Sequence, residues 1–272
     1  MSTSHIPYLQ QTAVISTTEG RDVPVWTLTI PTDDSVLSEW ATHFRNHYCL
    51  DEELDALRDG TGYSRKDYLT ELVFPDRSEA PGPAVRAGDF AEILVSDYLE
   101  YIVGYWVPRD KYAEKAVRNE SVKGVDVLGF RLADGVPESQ NPDDVLIAFE
   151  IKARLTGNKY EQTLQDAIDH SEKDHFRKAL TLNAAKRRLR LQGRNQDSLV
   201  VQRFQNPTDH PYHYKSGAAA VISDDSYDAV QIASNTVTVS HPNAAHLELM
   251  VIHGLDLMKL VTALYERAAN EA

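Results

Sequence analysis

Short apolar runs set between helical patterns constrain this chain more than any other feature. Val145 to Ala153 is apolar except at Glu150 and Lys152, and Leu247 to Ile252 is apolar except at Glu248. Both are far too short to cross a bilayer, which takes about 20 apolar residues, so they read as buried strands. Gly124 to Leu132 reads as a further strand, joined to 145–153 by a loop rich in Pro, Asn and Asp. Ala218 to Ser223 and Thr236 to Ser240 read as two short ones. Around them lie an amphipathic helix over Val85 to Val103, a helical stretch over 156–191 with a break, and a closing helix over Leu255 to Ala269. The last turns Leu257, Leu260, Val261, Leu264 and Tyr265 inward. Helices interleaved with strands in this order predict an α/β fold with a mixed central sheet flanked by helices.

The first 77 residues read as an N-terminal α+β subdomain. Thr12 to Thr18 and Val23 to Ile30 form a hairpin pattern across Glu19-Gly20-Arg21-Asp22. A helix capped within 33–35 then presents Leu37, Trp40, Phe44 and Tyr48, and a short helix starts at Ser64 and stops at Pro75. The stretch 76–83, with Pro81-Gly82-Pro83 at its end, cannot continue a regular element. It separates this part from a second unit over residues 84–272.

The net charge of −13 argues on its face against nucleic acid as a partner. The acidity is concentrated in the first hundred residues, however, and the middle hundred is close to neutral. Cys49 is the only cysteine, which excludes an intrachain disulfide and a CxxC zinc clip. The opening Met-Ser-Thr-Ser-His-Ile-Pro lacks a basic segment followed by an apolar one, so a cytoplasmic location without a membrane is expected. There is no phosphate-binding glycine loop. His210, His213, His241, His246 and His253 lack the spacing of a zinc site.

Three places bear on chemistry. In Phe149-Glu150-Ile151-Lys152 the strand alternation sends Glu150 and Lys152 to one side and Phe149, Ile151 and Ala153 into the core, so both charged side chains are expected at a polar rim. Asp126 sits between valines in a strand bracketed by glycines, an expensive place for a charge that meets no cation. Glu92 lies on the preceding helix; Asp89, nearer the expected helix start, is the better partner for its dipole. Each residue alone also suits a plain ion pair, a turn or a helix end. Together they suit phosphodiester hydrolysis, in which carboxylates hold a hard divalent ion, Mg²⁺ or Mn²⁺. Asp126 and Glu150 would be the metal ligands, and Lys152 would position the water and offset charge on the phosphate.

Helix Glu92, strand Asp126, then Glu150-x-Lys152 before a further helix resembles the PD-(D/E)xK restriction-endonuclease-like superfamily over roughly residues 85–223; Val125 stands where that motif carries proline. The resemblance implies a restriction-endonuclease-like core and a metal-dependent nuclease. More narrowly, the helix Arg86 to Tyr101, the approach Lys123-Gly124-Val125-Asp126 and the segment Glu248 to Gly254 resemble the nuclease subunit of the Hachiman anti-phage defence system, across most of the chain. That implies a bacterial effector DNase restrained by, and acting with, a superfamily 2 helicase.

Lys186, Arg187, Arg188, Arg190 and Arg194 place five cations in nine residues. On one helix, Arg187, Arg190 and Arg194 would share a face suited to DNA phosphates; a solvated helix end is the other reading. Gln162 and Gln165 either approach the site or lie on a surface face, and Tyr212 and Tyr214 either stack on bases or line an interface. The competing function is a catalytically inactive nuclease fold that binds DNA or a partner protein.

Overall fold

The computed structural model describes residues 3–113 and 115–272. Strands β1 (Leu9–Ser16) and β2 (Asp22–Leu28) form the expected antiparallel hairpin, turned at Gly20 with φ +74°. Helix α1 (Asp34–Asn46) starts where Asp33 accepts a hydrogen bond from the Ser35 N–H. Two short helices follow, α2 (Leu54–Arg58) and α3 (Arg65–Tyr68), the second capped by Ser64. After the 76–81 segment comes α4 (Gly82–Asp97), prolonged by a wider turn over Tyr98–Val103. Strands β3 (Val127–Arg131) and β4 (Val145–Arg154) precede three helices, α5 (Thr163–Ser171), α6 (Asp174–Leu191) and α7 (Asn195–Arg203). The chain closes through β5 (His213–Ser223), α8 (Ala229–Asn235), β6 (Leu247–Gly254) and α9 (Leu257–Asn270).

The six strands form one mixed sheet in the order β1-β2-β6-β5-β4-β3. β4, β5, β6 and β2 run parallel, while β3 and β1 pair antiparallel at the two edges. The hairpin of the first 28 residues is therefore an extension of the same sheet, through β2 against β6. Trp40 and Phe44 of α1 lie in one apolar cluster with Phe90 of α4, Phe149 of β4 and Tyr265 of α9, so the core runs across the 76–83 segment without a break.

Helices cover both faces. On one side α1, α4 and α9 bury Ile147, Phe149, Ile151 and Met250. On the other, α5 and α8 cover Ala218, Ala220 and Val251, and α6 and α7 cover Leu128, Leu146 and Ala148. Parallel strands covered on both faces read as continuous apolar runs, which is why 145–153 and 247–252 look as they do. Gly217 of β5 stands opposite Phe149, whose ring lies where a Cβ would be.

Two expected elements differ. Residues 236–240 form no strand: α8 occupies 229–235, and Thr238 then spends its N–H and hydroxyl on Glu19. α6 ends at Leu191, and Gly193 with φ +72° turns the chain, so Arg194 lies at the entry to α7 instead of sharing a face with Arg187 and Arg190. No helix among the described residues is long and apolar enough to cross a membrane.

Candidate active site

The antiparallel register of β3 and β4 pairs Val127 with Phe149, which leaves Asp126, one residue ahead of β3, beside the Glu150–Ile151 peptide. The Ile151 N–H donates to Asp126 Oδ2 at 2.9 Å. That bond fixes the carboxylate at the end of the sheet. Glu150 points to the face that α5 and α6 cover, and Lys152 Nζ donates to Glu150 Oε1 at 2.5 Å. His170 Nδ1 lies 3.5 Å from Glu150 Oε1, and an Arg177 guanidinium nitrogen lies 3.6 Å from Glu150 Oε2. The expected polar rim is corrected here: Glu150 is only 3% exposed, because the strand is packed on both faces. Lys152 is half-buried.

Glu92 lies in the third turn of α4, which begins at Gly82. It reaches the same place through the 104–126 loop. Lys111 Nζ donates to Glu92 Oε2 at 2.5 Å and to the Asp126 carbonyl at 3.1 Å, and Tyr112 donates its hydroxyl to Glu92 Oε2 at 2.7 Å. Asp89, expected as a dipole partner, is instead buried two turns into the helix. It is ion-paired with Lys115 and accepts from the Tyr48 hydroxyl at 2.7 Å.

A further carboxylate lies at the first position of α6. Asp174 is fully buried, and among the described residues neither of its oxygens has a hydrogen-bond donor and its nearest cation is Arg177 at 3.7 Å. Burial, then the charges of Glu150 and Asp126, push its carboxyl up to about 8. Burial raises Asp126 as well, with Glu150 adding to the effect and Lys111 and the Ile151 N–H opposing it. Burial pushes Glu92 up to about 7 against the pull of Lys111. Buried acids that raise one another in this way mark a place short of positive charge. Glu150 Oε2 is a third buried oxygen without a donor among the described residues, after the two of Asp174 and in the same cluster.

The structure thus gathers Asp126, Glu150 and Lys152 directly and Glu92 through Lys111. Sequence reasoning missed Asp174, Arg177, Lys111 and Tyr112. They come from a helix start and an irregular loop, and only Asp174, a carboxylate opening a helix just beyond the site strand, left a local trace.

The basic run is largely spent on the fold. Arg188 pairs with Asp110 at 2.7 Å, and Arg194 pairs with Asp197 at 2.7 Å and donates to the Pro108 carbonyl. Lys186 bonds Gln205 and Arg190 bonds Gln202. Arg187 alone of the five has no such partner among the described residues. Gln165 is a surface staple to Asp169 and Val237, and Tyr212 packs edge-on to Phe204.

Histidines do cluster, though at the start of the chain and not among the five of its last third. Among the described residues the group whose ligand atoms all lie within 4.8 Å is His5, His43 and Asp97. Its cation is already present: a guanidinium nitrogen of Arg109 sits 2.7 Å from Asp97 Oδ1, and the same group donates to His47 Nε2 at 2.9 Å. This network ties residues 3–8, α1, α4 and the 104–112 loop together.

Residues 5–268, nearly the whole chain, match the family model HamA. No curated protein matches. The chain belongs to the HamA family, a component of Hachiman anti-phage defence.

Proposed function

We propose that this HamA-family chain is the DNA-cleaving effector of its defence system, a divalent-metal-dependent phosphodiesterase of the PD-(D/E)xK type with Glu92, Asp126, Glu150 and Lys152 as its catalytic residues. One observation carries the reading. Asp126 is tied to the backbone beside Glu150 and Lys152, in a cluster where Glu150 Oε2 and both Asp174 oxygens are buried without a donor. Unpaired buried carboxylate is costly unless a cation answers it, and hard oxygen donors suit Mg²⁺ or Mn²⁺.

The donor set fits such an ion. Asp126 and Glu150 would hold it, with Asp174 close enough to share its charge. When bound, the ion would polarise the phosphoryl oxygens and acidify a water. The remaining work falls to the chain's own residues. Lys152, held on Glu150, would orient the water and offset the growing negative charge. Lys111 links Glu92 to Asp126 and keeps both near the sheet end. A helicase partner that delivers DNA fits the net charge of −13, which repels duplex from most of the surface within about 8 Å at physiological salt.

The test is incubation of the full chain, alone and with its helicase partner, with plasmid in Mg²⁺ or in EDTA. Cleavage that needs Mg²⁺ and disappears in Asp126→Asn and Lys152→Ala supports the reading. Cleavage that persists in both variants, or no cleavage under any of these conditions, rejects it in favour of an inactive binding subunit.

A further inference from the structure

α6 carries six Lys and Arg residues against one Asp, in a chain whose net charge is −13. Its inner face is spent: Leu182, Ala185 and Leu189 are core, and Arg177 reaches Glu150. Its outer face holds a different combination. Phe176 is 80% exposed and Leu180, one turn later, is 76% exposed, the two most exposed large apolar side chains on this helix. A buried-core explanation is closed to them.

Beside these two residues a groove of about 540 Å³ runs between α6 and segment 121–124, with Leu180, Ala184 and Val122 as apolar lining and Arg177 and Lys123 as cations. That volume lies within the usual range of ligand pockets, roughly 300–1,000 Å³. Gly124 forms its floor against Thr181, whose hydroxyl stands where a Cβ would be, and it holds a φ of +128° that favours glycine. Two residues later the chain reaches Asp126. Lys123 is exposed and has no ion-pair partner among the described residues. The groove therefore joins an apolar, cation-edged surface to the carboxylate cluster.

We propose that this groove and the outer face of α6 bind an unpaired DNA strand, with one base stacked on Phe176, its neighbour against Leu180, and the backbone phosphate on Lys123. A duplex keeps its base faces inside the stack, so a protruding phenyl beside a cationic groove finds its partner only in an open strand. Aromatic side chains with interleaved cations are the general device for single-stranded nucleic acid. The placement deepens the nuclease reading by naming the substrate as unpaired strand, but its test does not depend on cleavage.

The measurement is fluorescence anisotropy of the full chain with a fluorescein-labelled 20-nucleotide strand and with the matching duplex, both in EDTA. Phe176→Ala should weaken strand binding roughly five- to a hundredfold, the range that stacking of one base supports, and leave duplex binding unchanged. Phe176→Trp should restore it. Lys123→Gln should weaken binding and lower the salt slope by about 0.7, as expected for one lost contact on a single strand. A strand with abasic sites should bind to wild type at least as weakly as the normal strand binds to Phe176→Ala, and Phe176→Ala should not weaken it further. All these side chains are exposed, so the variants should melt as wild type does. Strand affinity unchanged in Phe176→Ala, additive losses with the abasic strand, or no strand binding by wild type overturns the proposal. So does a Phe176→Ala defect confined to association with the helicase partner. Strand binding with this pattern but no cleavage by wild type would reject the nuclease reading and leave the groove standing; the reverse result would reject the groove alone.

Discussion

Replacing Asp174 by asparagine should stabilise the metal-free protein at neutral pH, although the residue is fully buried. With its carboxyl raised to about 8, mainly by burial and then by Glu150 and Asp126, Asp174 stays protonated in the fold at pH 7. In the unfolded chain it ionises near 3.9. Holding that proton about three pH units above the ordinary value costs the fold about 4 kcal/mol. Asparagine escapes that cost and adds its own, since a buried amide without partners is worth roughly 1–3 kcal/mol of destabilisation. About 1–3 kcal/mol of net gain remains, or several degrees in Tm at roughly 2–4 °C per kcal/mol for a chain of this size. The sign with pH follows. The folded state holds the extra proton, so the wild-type contribution is favourable below about 4, falls as pH rises, and levels off above about 8. The advantage of Asp174→Asn should therefore be largest at pH 8 and turn into a deficit of roughly 1–3 kcal/mol near pH 4, where only the cost of the buried amide remains. Thermal melts by circular dichroism in EDTA at pH 4, 6 and 8 measure it. A variant less stable than wild type at pH 8, or an advantage that does not change with pH, would refute the reasoning.

Other consequences are equally direct. Asp97→Ala should cost about 3–5 kcal/mol in chemical denaturation, because it strips the buried Arg109 guanidinium of one partner and His5 and His43 of theirs. Gly217→Ala should destabilise by roughly 1–3 kcal/mol in the same assay, since the new methyl meets the Phe149 ring. His47 is held neutral by burial first and then by the charges of Arg109 and His43. The unfolded chain therefore takes up a proton below about 6.5 that the fold refuses. The margin of wild type over His47→Gln should shrink between pH 7 and pH 5, by up to about 1.4 kcal/mol per pH unit, and a margin independent of pH would show that His47 titrates normally.

Local pattern was enough for the helices and the hairpin, because caps such as Asp33 and stripes such as Leu257, Leu260, Val261 and Leu264 are written within a few residues. It was also enough to bring Asp126 to Glu150, because one loop joins two antiparallel strands. It failed where partners lie far apart in sequence. β2 pairs with β6 across more than two hundred residues, and nothing near Val25 marks it as a sheet strand shared with Val251 instead of half of a separate hairpin. The burial of Glu150 was missed because alternation was read as core on one face and water on the other, whereas Leu146 and Ala148 on the side of Glu150 already signalled a second packed face. The threonines and valines of 236–240 mimic a strand, but their polar groups cap α8 and hold Glu19.

The basic run shows how formal charge misleads most. Five cations in nine residues suggest a phosphate track, yet Arg188 and Arg194 are bound to Asp110 and Asp197, and Lys186 and Arg190 lean on glutamines. Freeing a paired arginine to meet a phosphate would leave its aspartate unanswered, so those contacts would return little. Two cations with no such partner among the described residues, Arg187 and Lys123, border the outer side of α6 together with Phe176 and Leu180. With one or two phosphate contacts, the salt-dependent part of affinity is small, and the acidic remainder of the surface opposes it. On the proposed reading, then, affinity for DNA has two possible sources, stacking on an opened strand or delivery by a partner. A helicase partner would provide both, since separating the duplex is what exposes base faces to Phe176.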